Sequence, residues 1–185
     1  MNKNNSSSAV TYSGVVSTTN ADRSPLLSAI VSVLVRGFRL TIDLPRRSAT
    51  AKNLMRTGEC VINLPDAETT VAIERLAHAV TSINSDVDFN LSQAAVGGGF
   101  ARVHMTLVPS EAVSALRALE CPIQIEAKVE SNVRVTAHER FEPIDESQTF
   151  ELHILRVHID PPVVDRDVRW RPFMTCLRDA YRASS

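Results

Sequence analysis

The segment from Arg46 to Pro65 constrains the fold more than any other part of the chain. Its sequence, RRSATAKNLMRTGECVINLP, combines a basic, hydroxyl-rich turn, a short helical stretch, a glycine and a buried apolar stretch. Ser48 stands where a helix N-cap is expected, and Gly58 stands where the helix should stop. The segment therefore predicts a helix over about residues 48–56, followed by a strand over residues 59–64 that ends at Pro65.

The start of this helix brings together groups that bind anions. The first turn of a helix leaves backbone N–H groups unpaired and carries the positive end of the helix dipole. The polar side chains around it are Ser48, Thr50, Asn53, Arg46, Arg47 and Lys52. One interpretation is a seat for a single phosphate group. The other, favoured by local chemistry alone, is an ordinary capped helix with a solvated basic face.

Most of the remaining chain has the patterns of strands. Strands are predicted over residues 9–19, 26–35, 38–44, 102–108, 122–130, 132–138 and 149–159. A polar turn over residues 20–25 joins the first two as an antiparallel hairpin. In residues 122–130 the alternation places Ile123 and Ile125 inside and Glu126 and Glu130 on a solvated face. The apolar parity switches at Ile154–Leu155, which indicates a bulge or a second buried surface.

Two further helices complete the prediction. One is capped by Asp66 and has an apolar stripe of Ile73, Leu76, Ala77 and Val80; the last runs from about Arg169 to Tyr181 with a stripe of Trp170, Phe173, Met174, Leu177 and Tyr181. Residues 81–99 are expected to form a long loop. Many short antiparallel strands with few helices predict a mainly β protein with a closed or nearly closed barrel. We expect residues 1–8 to be a disordered arm and residues 9–185 a single domain.

Composition excludes several classes of function. The 185 residues are 44% apolar and 22% charged with a net charge of −1, so nothing indicates general affinity for nucleic acid or anionic membranes. The longest apolar run, residues 26–35, is too short to span a bilayer, and MNKNNSSS is not a secretory signal. Three widely spaced cysteines are expected to be reduced and mostly buried, as in a cytoplasmic protein.

Side-chain catalysis and metal binding find little support. The five histidines lack metal-ligand spacing, and His153 and His158, five residues apart on a strand, are expected to point to opposite faces. There is no G-x-S-x-G elbow, and Cys60 has the context of a small buried thiol. The acidic residues near the end of the chain, Asp160, Asp165 and Asp167, are expected to form a loop rich in ion pairs with Arg166 and Arg169. The sequence therefore predicts no metal and no catalytic side chain.

The ordered motifs of the chain resemble one known family. The central motif is Ser48-x-Thr50-x-x-Asn53-Leu54-x-x-Thr57-Gly58-Glu59-Cys60-Val61-x-Asn63-Leu64-Pro65. It is followed by VPSE at residues 108–111, ECPIQIEA at residues 120–127, FELHILRVHID at residues 150–160 and WRPF at residues 170–173. Over about residues 12–181, this set is similar to the flavin reductase-like, FMN-binding split β-barrel family.

The resemblance implies a fold, a cofactor and a site. The family fold is an antiparallel, Greek-key split barrel, assembled as a homodimer with one FMN per subunit near the interface. By position, Ser48, Thr50 and Asn53 would hold the FMN phosphate, with Lys52 beside them. The strand from Ser28 through Val31 to Ser32 would line the isoalloxazine ring, and Trp170-Arg171 would complete the site from either subunit. NAD(P)H would pass hydride to the flavin, so no catalytic side chain is required.

The chain also differs from the family pattern near the ring-binding strand. It has Ser13-Gly14-Val15-Val16 where relatives often have Gly-Thr-Pro-Val. It has Asp22-Arg23-Ser24-Pro25-Leu26 where they commonly have Asp-Gly-x-x-Asn. The leading expectation is an FMN-binding oxidoreductase of the flavin reductase type. The alternatives are a non-catalytic FMN-binding or flavin-free dimeric barrel module, and a purely structural homodimer.

Overall fold

Strands make up most of the structure, a computed structural model that describes residues 10–71, 73, 105–135 and 147–184. The strands are β1 (Val10–Thr19), β2 (Pro25–Arg36), β3 (Arg39–Pro45), β4 (Glu59–Leu64), β5 (Leu107–Val108), β6 (Arg117–Ala118), β7 (Ile123–Val135) and β8 (Ser147–Ile159). The helices are α1 (Ala49–Thr57), α2 (Pro161–Val164) and α3 (Arg171–Ser184), with a 3₁₀ turn at Val168–Trp170. A further helix begins at residue 67.

Six strands form a closed barrel in the order β1-β2-β3-β8-β7-β4, and every neighbouring pair is antiparallel. The first three strands are consecutive hairpins, and the chain then crosses through α1 so that β4 lies beside β1. This arrangement is a Greek key. The prediction of a mainly β, antiparallel Greek-key barrel is confirmed.

The β2–β3 pairing covers only part of both strands. It runs from the Val33–Ile42 pair to the Arg36–Arg39 pair at the hairpin. Beyond it, β3 pairs with β8 as far as Pro45, whereas residues 25–32 of β2 have no ladder partner on this side among the described residues. The barrel is therefore split between β2 and β3, and the split lies at the α1 end.

Helices close the two ends of the barrel. Ala51 and Leu54 of α1 enter the core near the β1–β2 turn. At the opposite end, the Trp170 ring stacks on the ring of Tyr12 with centroids 5.5 Å apart, and Phe173 packs edge-on against the same tyrosine. Cys176 accepts a hydrogen bond from the Gly37 N–H at 3.0 Å. The core is thus continuous from α1 through the barrel to α3.

The ends of α1 match the sequence prediction. Ser48 has extended backbone angles, and its Oγ accepts a hydrogen bond from the Ala51 N–H at 3.0 Å. Gly58 closes the helix in the left-handed conformation, φ 66°, and its N–H donates to the Leu54 carbonyl at 2.9 Å. A side chain in this conformation would be strained, so glycine sets the point where α1 turns into β4.

The parity switch in β8 is a β-bulge. Glu126 pairs with Arg156 and Ala127 with Ile154, so Leu155 is the extra residue. The predicted bulge is confirmed, and it has a consequence that the prediction missed. Because the bulge resets the alternation, His153 and His158 pair with Lys128 and Gln124, which share one face of β7. The expectation that the two histidines point to opposite faces was wrong.

Two other predicted faces need correction. Glu126 was expected on a solvated face but is fully buried, because residues 109–118 cover the outer surface of β7 there. At the end of the chain, Met174 and Tyr181 of α3 are exposed, and the buried positions are Trp170 in the preceding 3₁₀ turn and Phe173 and Cys176 in α3. Cys176, which was not part of the predicted stripe, is buried because α3 packs against the β2–β3 turn, where the Gly37 N–H donates to its Sγ.

The second predicted helix is described only near its start, and several other predictions fall outside the described residues. Asp66 caps the helix that begins at residue 67, since its Oδ1 accepts from the Thr69 N–H at 2.8 Å, and Ile73 is buried. The remaining stripe of that helix, the arm at residues 1–8, the loop at residues 81–99, and the strand residues 102–104 and 136–138 lie outside the described ranges. In the part of the chain that is described, no helix is long and apolar enough to cross a membrane.

Candidate functional site

The buried face of α1 joins the helix to β2 through two hydroxyl groups. Ser28 and Thr50 are both buried, and their hydroxyl oxygens lie 2.7 Å apart. Ser28 pairs with Val16, so it faces the barrel interior at the split. The sequence prediction placed Ser28 near the flavin ring and Thr50 on its phosphate. The structure brings the two residues into direct contact.

Asn53 joins α1 to the β1–β2 turn. Its Nδ2 donates to Thr18 Oγ1 at 3.1 Å and to Asn20 Oδ1 at 2.8 Å. Its Oδ1 accepts from Arg56 Nη2 at 3.2 Å, and the same guanidinium donates to the Thr19 carbonyl. The amide therefore has partners at both ends. In this arrangement Asn53 fixes α1 against the end of β1.

The turn that Asn53 holds has an unusual backbone. Arg23 has φ 69°, the left-handed conformation that glycine adopts without strain. Asp22 stabilises the turn, because its Oδ1 accepts from the Ser24 N–H at 2.9 Å and from the Ser24 hydroxyl at 2.6 Å. These two hydrogen bonds lower the pKa of the Asp22 carboxyl. The turn thus keeps a glycine-type conformation although arginine occupies it.

A second bulge lies in β2 beside the split. Tyr12 pairs with Val33 and Gly14 with Ile30, so Val31 and Ser32 stand opposite the single residue Ser13. The bulge reverses the alternation, which leaves Ser32 exposed although Ser28, four residues earlier, is buried. Neither Val31 nor Ser32 has a ladder partner in the described strands. Bulges often lie next to active sites because they free backbone groups.

The exposed side of α1 borders a groove of about 410 Å³, which we call the α1 groove. Its lining residues are Arg46, Arg47, Lys52, Met55, Asn132 and Gln148. The predicted phosphate ligands therefore separate into two sets. The cations Arg46, Arg47 and Lys52 line this outer groove, whereas Thr50 and Asn53 face the barrel. Ser48 lies between the sets as the N-cap.

The predicted Trp170-Arg171 corner lies at the end of the barrel opposite to α1 within the same chain. Trp170 packs on Tyr12, near the start of β1, whereas Asn53 contacts Thr18, six residues further along the strand. At about 3.3 Å per residue, the two ends are about 20 Å apart. Trp170 is buried and Arg171 is exposed. One chain does not bring this corner together with Ser28 and Thr50.

A buried carboxylate network on the outer face of β7 was missed by the sequence prediction. Glu126 accepts hydrogen bonds from the backbone N–H groups of Glu111 and Ala112, and its Oε1 lies 2.6 Å from His158 Nε2. Arg117 Nε is 4.0 Å from the same oxygen. Burial alone would raise the pKa of Glu126, but the two N–H donors and His158 outweigh it and lower the pKa.

The network holds residues 109–118 against the barrel with help from β4. Glu59 Oε2 accepts from the Ser114 N–H and hydroxyl, both at 2.8 Å, and Asn63 Oδ1 accepts from the Ala118 N–H at 2.8 Å. Burial opposes ionisation of Glu59, yet Ser114 and Lys128 lower its pKa. No sequence signal marks this role, because the partners lie in a segment without periodicity. We regard the network as structural.

The cysteines do not have the properties of nucleophiles. Burial raises the pKa of Cys60 and of Cys121 to about 12, so both stay protonated at neutral pH. All three cysteines are free and buried. Among the described residues, no group of three or more His, Cys, Asp or Glu side chains is placed to hold a metal ion.

Comparison with known proteins shows the fold. A split barrel domain from Shewanella frigidimarina NCIMB 400 superimposes with a TM-score of 0.61 at 18% identity, covering 89% of this chain and 74% of that one. The 2-nitrobenzoate 2-nitroreductase NbaA of Pseudomonas fluorescens gives 0.59 at 16% identity, covering 83% and 66%. The chain thus spans just under two thirds of NbaA.

A third structure contains bound nucleotide fragments. It is the NADH:FAD oxidoreductase SgcE6 of Streptomyces globisporus C-1027 in complex with NAD and FAD fragments, with a TM-score of 0.53 at 12% identity, covering 82% of this chain and 76% of that one. The expected resemblance to flavin reductase-like split-barrel proteins is confirmed at the level of the fold.

Sequence comparison adds one relative. The chain is 27% identical over 175 residues to YdfE of Bacillus subtilis (strain 168), itself uncharacterized, covering 89% of this chain and 79% of YdfE. No family model matches the chain.

Proposed function

We propose that this protein binds FMN at the split between β2 and β3, beside α1, and acts as an oxidoreductase of the flavin reductase type, with NAD(P)H as co-substrate. One observation carries the proposal. The part of β2 that has no β3 partner among the described residues ends in the Val31–Ser32 bulge, and its Ser28 contacts Thr50 in the first turn of a capped helix. An unpaired strand suits the polar edge of a flavin ring, and a helix N-terminus suits its phosphate.

The residues have distinct parts in this proposal. The backbone groups of Val31 and Ser32 would hydrogen-bond the polar edge of the ring, and Ser28 would limit how deeply it enters. The phosphate would lie against Ser48, Thr50 and the first N–H groups of α1, with Lys52 adding positive charge from the outer side. Asn53 is already bonded to Thr18 and Asn20. Its proposed role is to position α1.

The chemistry would come from the cofactor, which accepts and donates hydride when bound. The tasks left to the protein are to bind the ring, orient it and shield one face. The names of the similar structures, a nitroreductase and an NADH:FAD oxidoreductase, support a flavin and a nicotinamide nucleotide as ligands. The proposal therefore requires no catalytic acid or base from the chain.

The proposal is tested first by the visible absorption spectrum of the purified protein after incubation with FMN and gel filtration. We expect bands near ~450 nm that remain with the protein, followed by oxidation of NADH or NADPH when an electron acceptor is added. A protein that stays colourless after this treatment would contradict the proposal.

The second candidate is a flavin-free or non-catalytic dimeric barrel module. The observation in its favour is Arg23, whose side chain replaces the glycine common in relatives near the ring-binding strand. The turn nevertheless keeps a glycine-type φ of 69°. Because the backbone shape is retained, we favour the flavin-binding candidate. A colourless protein of correct fold would favour the second.

We also propose that the protein is a homodimer, in which the exposed Arg171 of the predicted Trp170-Arg171 corner reaches the site of the partner subunit, while Trp170 stays packed in its own chain. The C-terminal segment exposes large apolar side chains, among them Val163, Val168 and Met174. Such a surface is typical of a contact between subunits. Light scattering at micromolar concentration should give twice the chain mass of 20.3 kDa. A mass equal to that of one chain would exclude the dimer under these conditions.

The cysteines bear on where in the cell the protein works. We infer a reducing, cytoplasmic environment because all three cysteines are free and buried.

A further inference from the structure

We propose that residues 109–116, which we call the outer lid, open away from the barrel in acid while the barrel itself stays closed. The outer lid is the loop of a hairpin whose strands, β5 and β6, pair through Leu107–Ala118 and Val108–Arg117. It lies on the outer face of β7, whereas the proposed flavin site faces the barrel interior. The inference therefore does not depend on that site.

The outer lid is attached to the barrel by side chains rather than by strand pairing. Glu126 of β7 accepts hydrogen bonds from the N–H groups of Glu111 and Ala112. Glu59 of β4 accepts from both the N–H and the hydroxyl group of Ser114. Among the described residues, no backbone-to-backbone hydrogen bond joins the outer lid to a barrel strand. Two carboxylates thus hold three backbone amides of the lid.

Apolar burial adds little to this attachment. Within the outer lid, Ala115 has the one fully buried side chain, at 1% exposed, and Val113 and Leu116 are half-buried. Hydrophobic stabilisation scales with the apolar area removed from water, and a methyl group offers the smallest such area. Segments with few buried apolar contacts open locally more readily than the core does. The closed position of the lid therefore depends on its polar contacts.

Other hydrogen bonds determine which part would move. The Ser110 hydroxyl donates to the Ala115 carbonyl, a bond within the outer lid that opening leaves intact. At the base of the lid, the Ala118 N–H donates to Asn63 Oδ1 at 2.8 Å. A side-chain amide does not titrate, so acid does not break this second bond. The hinge therefore lies at the β5–β6 pair.

Glu126 and Glu59 are the groups through which acid would act. His158 Nε2 lies 2.6 Å from Glu126 Oε1, and Lys128 Nζ lies 3.4 Å from Glu59 Oε1. The other charged groups that face this network in the described part of the chain are Arg117 of β6, Arg156 of β8 and the carboxylate of Glu111, which pairs with Arg156 at 2.7 Å. Protonation of Glu126 would remove the negative charge that faces His158 and would weaken the acceptor of two lid amides.

The direction of the pH effect follows from the closed state. Burial alone would raise the pKa of both carboxyls, but the lid N–H groups together with His158 and Lys128 lower it. Opening breaks the bonds to the lid and lets each carboxyl approach its ordinary pKa of about 4.3. The open lid therefore binds protons at a higher pH than the closed lid does. As the pH falls below this value, opening should become more favourable by up to about tenfold per pH unit for each carboxyl released.

The test is hydrogen exchange of the full-length protein, followed for single amides by NMR and corrected for the intrinsic exchange rate. The measurements run from about pH 6.5 down to about pH 3.5, on both sides of the ordinary carboxyl pKa. We expect the amides of Glu111, Ala112 and Ser114 to keep constant protection above that pKa and to lose it below. The Ala118 amide and the amides of the β4–β7 ladder should stay protected.

Glu126→Gln imitates the protonated carboxyl near neutral pH. The substituted side chain has about the same size but no charge, and one acceptor oxygen in place of two. It should lower the protection of the two lid amides that Glu126 holds at least tenfold. Glu120→Gln is the matched control, because the Glu120 carboxylate also accepts from a backbone N–H, that of Thr106, within the same connection rather than across to the barrel. The control should leave the lid amides as protected as in the wild type.

Glu59→Gln is the second variant, and it should fold because Glu59 is partly exposed. It should lower the protection of the Ser114 amide several-fold. Constant protection of the lid amides across the pH range, or unchanged protection in both variants, would overturn the proposal. Loss of protection in parallel with the β4–β7 ladder would also overturn it, because the event would then be global unfolding. Loss at Ala118 together with the lid would exclude the hinge at the β5–β6 pair.

Discussion

Replacing Glu126 with leucine should lower the free energy of unfolding by about 3 kcal/mol. The change leaves the backbone N–H groups of Glu111 and Ala112 without their acceptor and removes the partner of His158. The residues 109–118 that cover the outer face of β7 would then be held only by their other contacts, among them those of Ser114 with Glu59 and of Ala118 with Asn63 in the described part of the chain. Urea denaturation followed by the fluorescence of Trp170, the single tryptophan of the chain, measures the effect.

The same carboxylate predicts how stability depends on pH. The pKa of Glu126 is lowered in the folded state, and so is that of Glu59. The unfolded chain therefore binds protons at a higher pH than the folded one does. The stability from these groups is fully present above the ordinary carboxyl pKa of about 4.3 and is lost as the pH falls through the lower folded values. Glu126→Leu should flatten this acid-side decline.

Glu130 provides the matched control, because it follows Glu126 by four residues on the same strand and is exposed. It pairs with Arg39 at 2.9 Å, with both side chains largely in solvent. Glu130→Gln should change stability by less than about 1 kcal/mol. Equal effects of Glu126→Leu and Glu130→Gln would contradict the buried network, and so would an acid-side decline that Glu126→Leu leaves unchanged.

Removing the hydroxyls of Ser48 and Thr50 together should weaken FMN binding at least tenfold. In the proposed site these are the two side-chain donors nearest the phosphate, and a hydrogen bond to a charged group contributes about 1.5 to 3 kcal/mol. The double variant Ser48→Ala/Thr50→Ala also loses the N-cap bond to Ala51 and the contact with Ser28. Quenching of flavin fluorescence gives the dissociation constant.

Controls separate binding from folding in this variant. The double variant should fold, because losing a cap costs only about 1 kcal/mol, and its unfolding curve measures that cost directly. Ser131→Ala removes a surface hydroxyl that donates to Glu151 and should leave FMN binding unchanged. An unchanged dissociation constant in a folded double variant would remove the phosphate from the N-terminus of α1.

Much of the fold could be predicted from the sequence because its signals are local. Ser48 and Gly58 set the ends of α1, and the switch at Ile154–Leu155 indicated the bulge in β8. The bulge at Val31–Ser32 gave no such signal, because it lies in an apolar run without alternation. The position of this bulge in β2 determines that Ser28 is buried and Ser32 is exposed. That position depends on the register between β2 and β1.

The candidate site was harder to predict because it depends on which side of α1 each residue faces. The sequence prediction placed Thr50, Lys52 and Asn53 in one set at the start of α1, and the structure places Lys52 outside and the other two inside. Glu126 was assigned to solvent because alternation along a strand gives no information about distant segments that cover it.

The incomplete pairing of β2 with β3 has a consequence for motion. The β1–β2 hairpin is bonded along its own length, and among the described strands its ladders to the rest of the barrel, β1–β4 and β2–β3, are short. We therefore expect the hairpin to move as a unit relative to its neighbours. The Ser28–Thr50 and Asn53–Thr18 hydrogen bonds hold it against α1. Breaking these two hydrogen bonds would widen the split. Entry of a ligand would then require the same local opening that moves the hairpin away from α1.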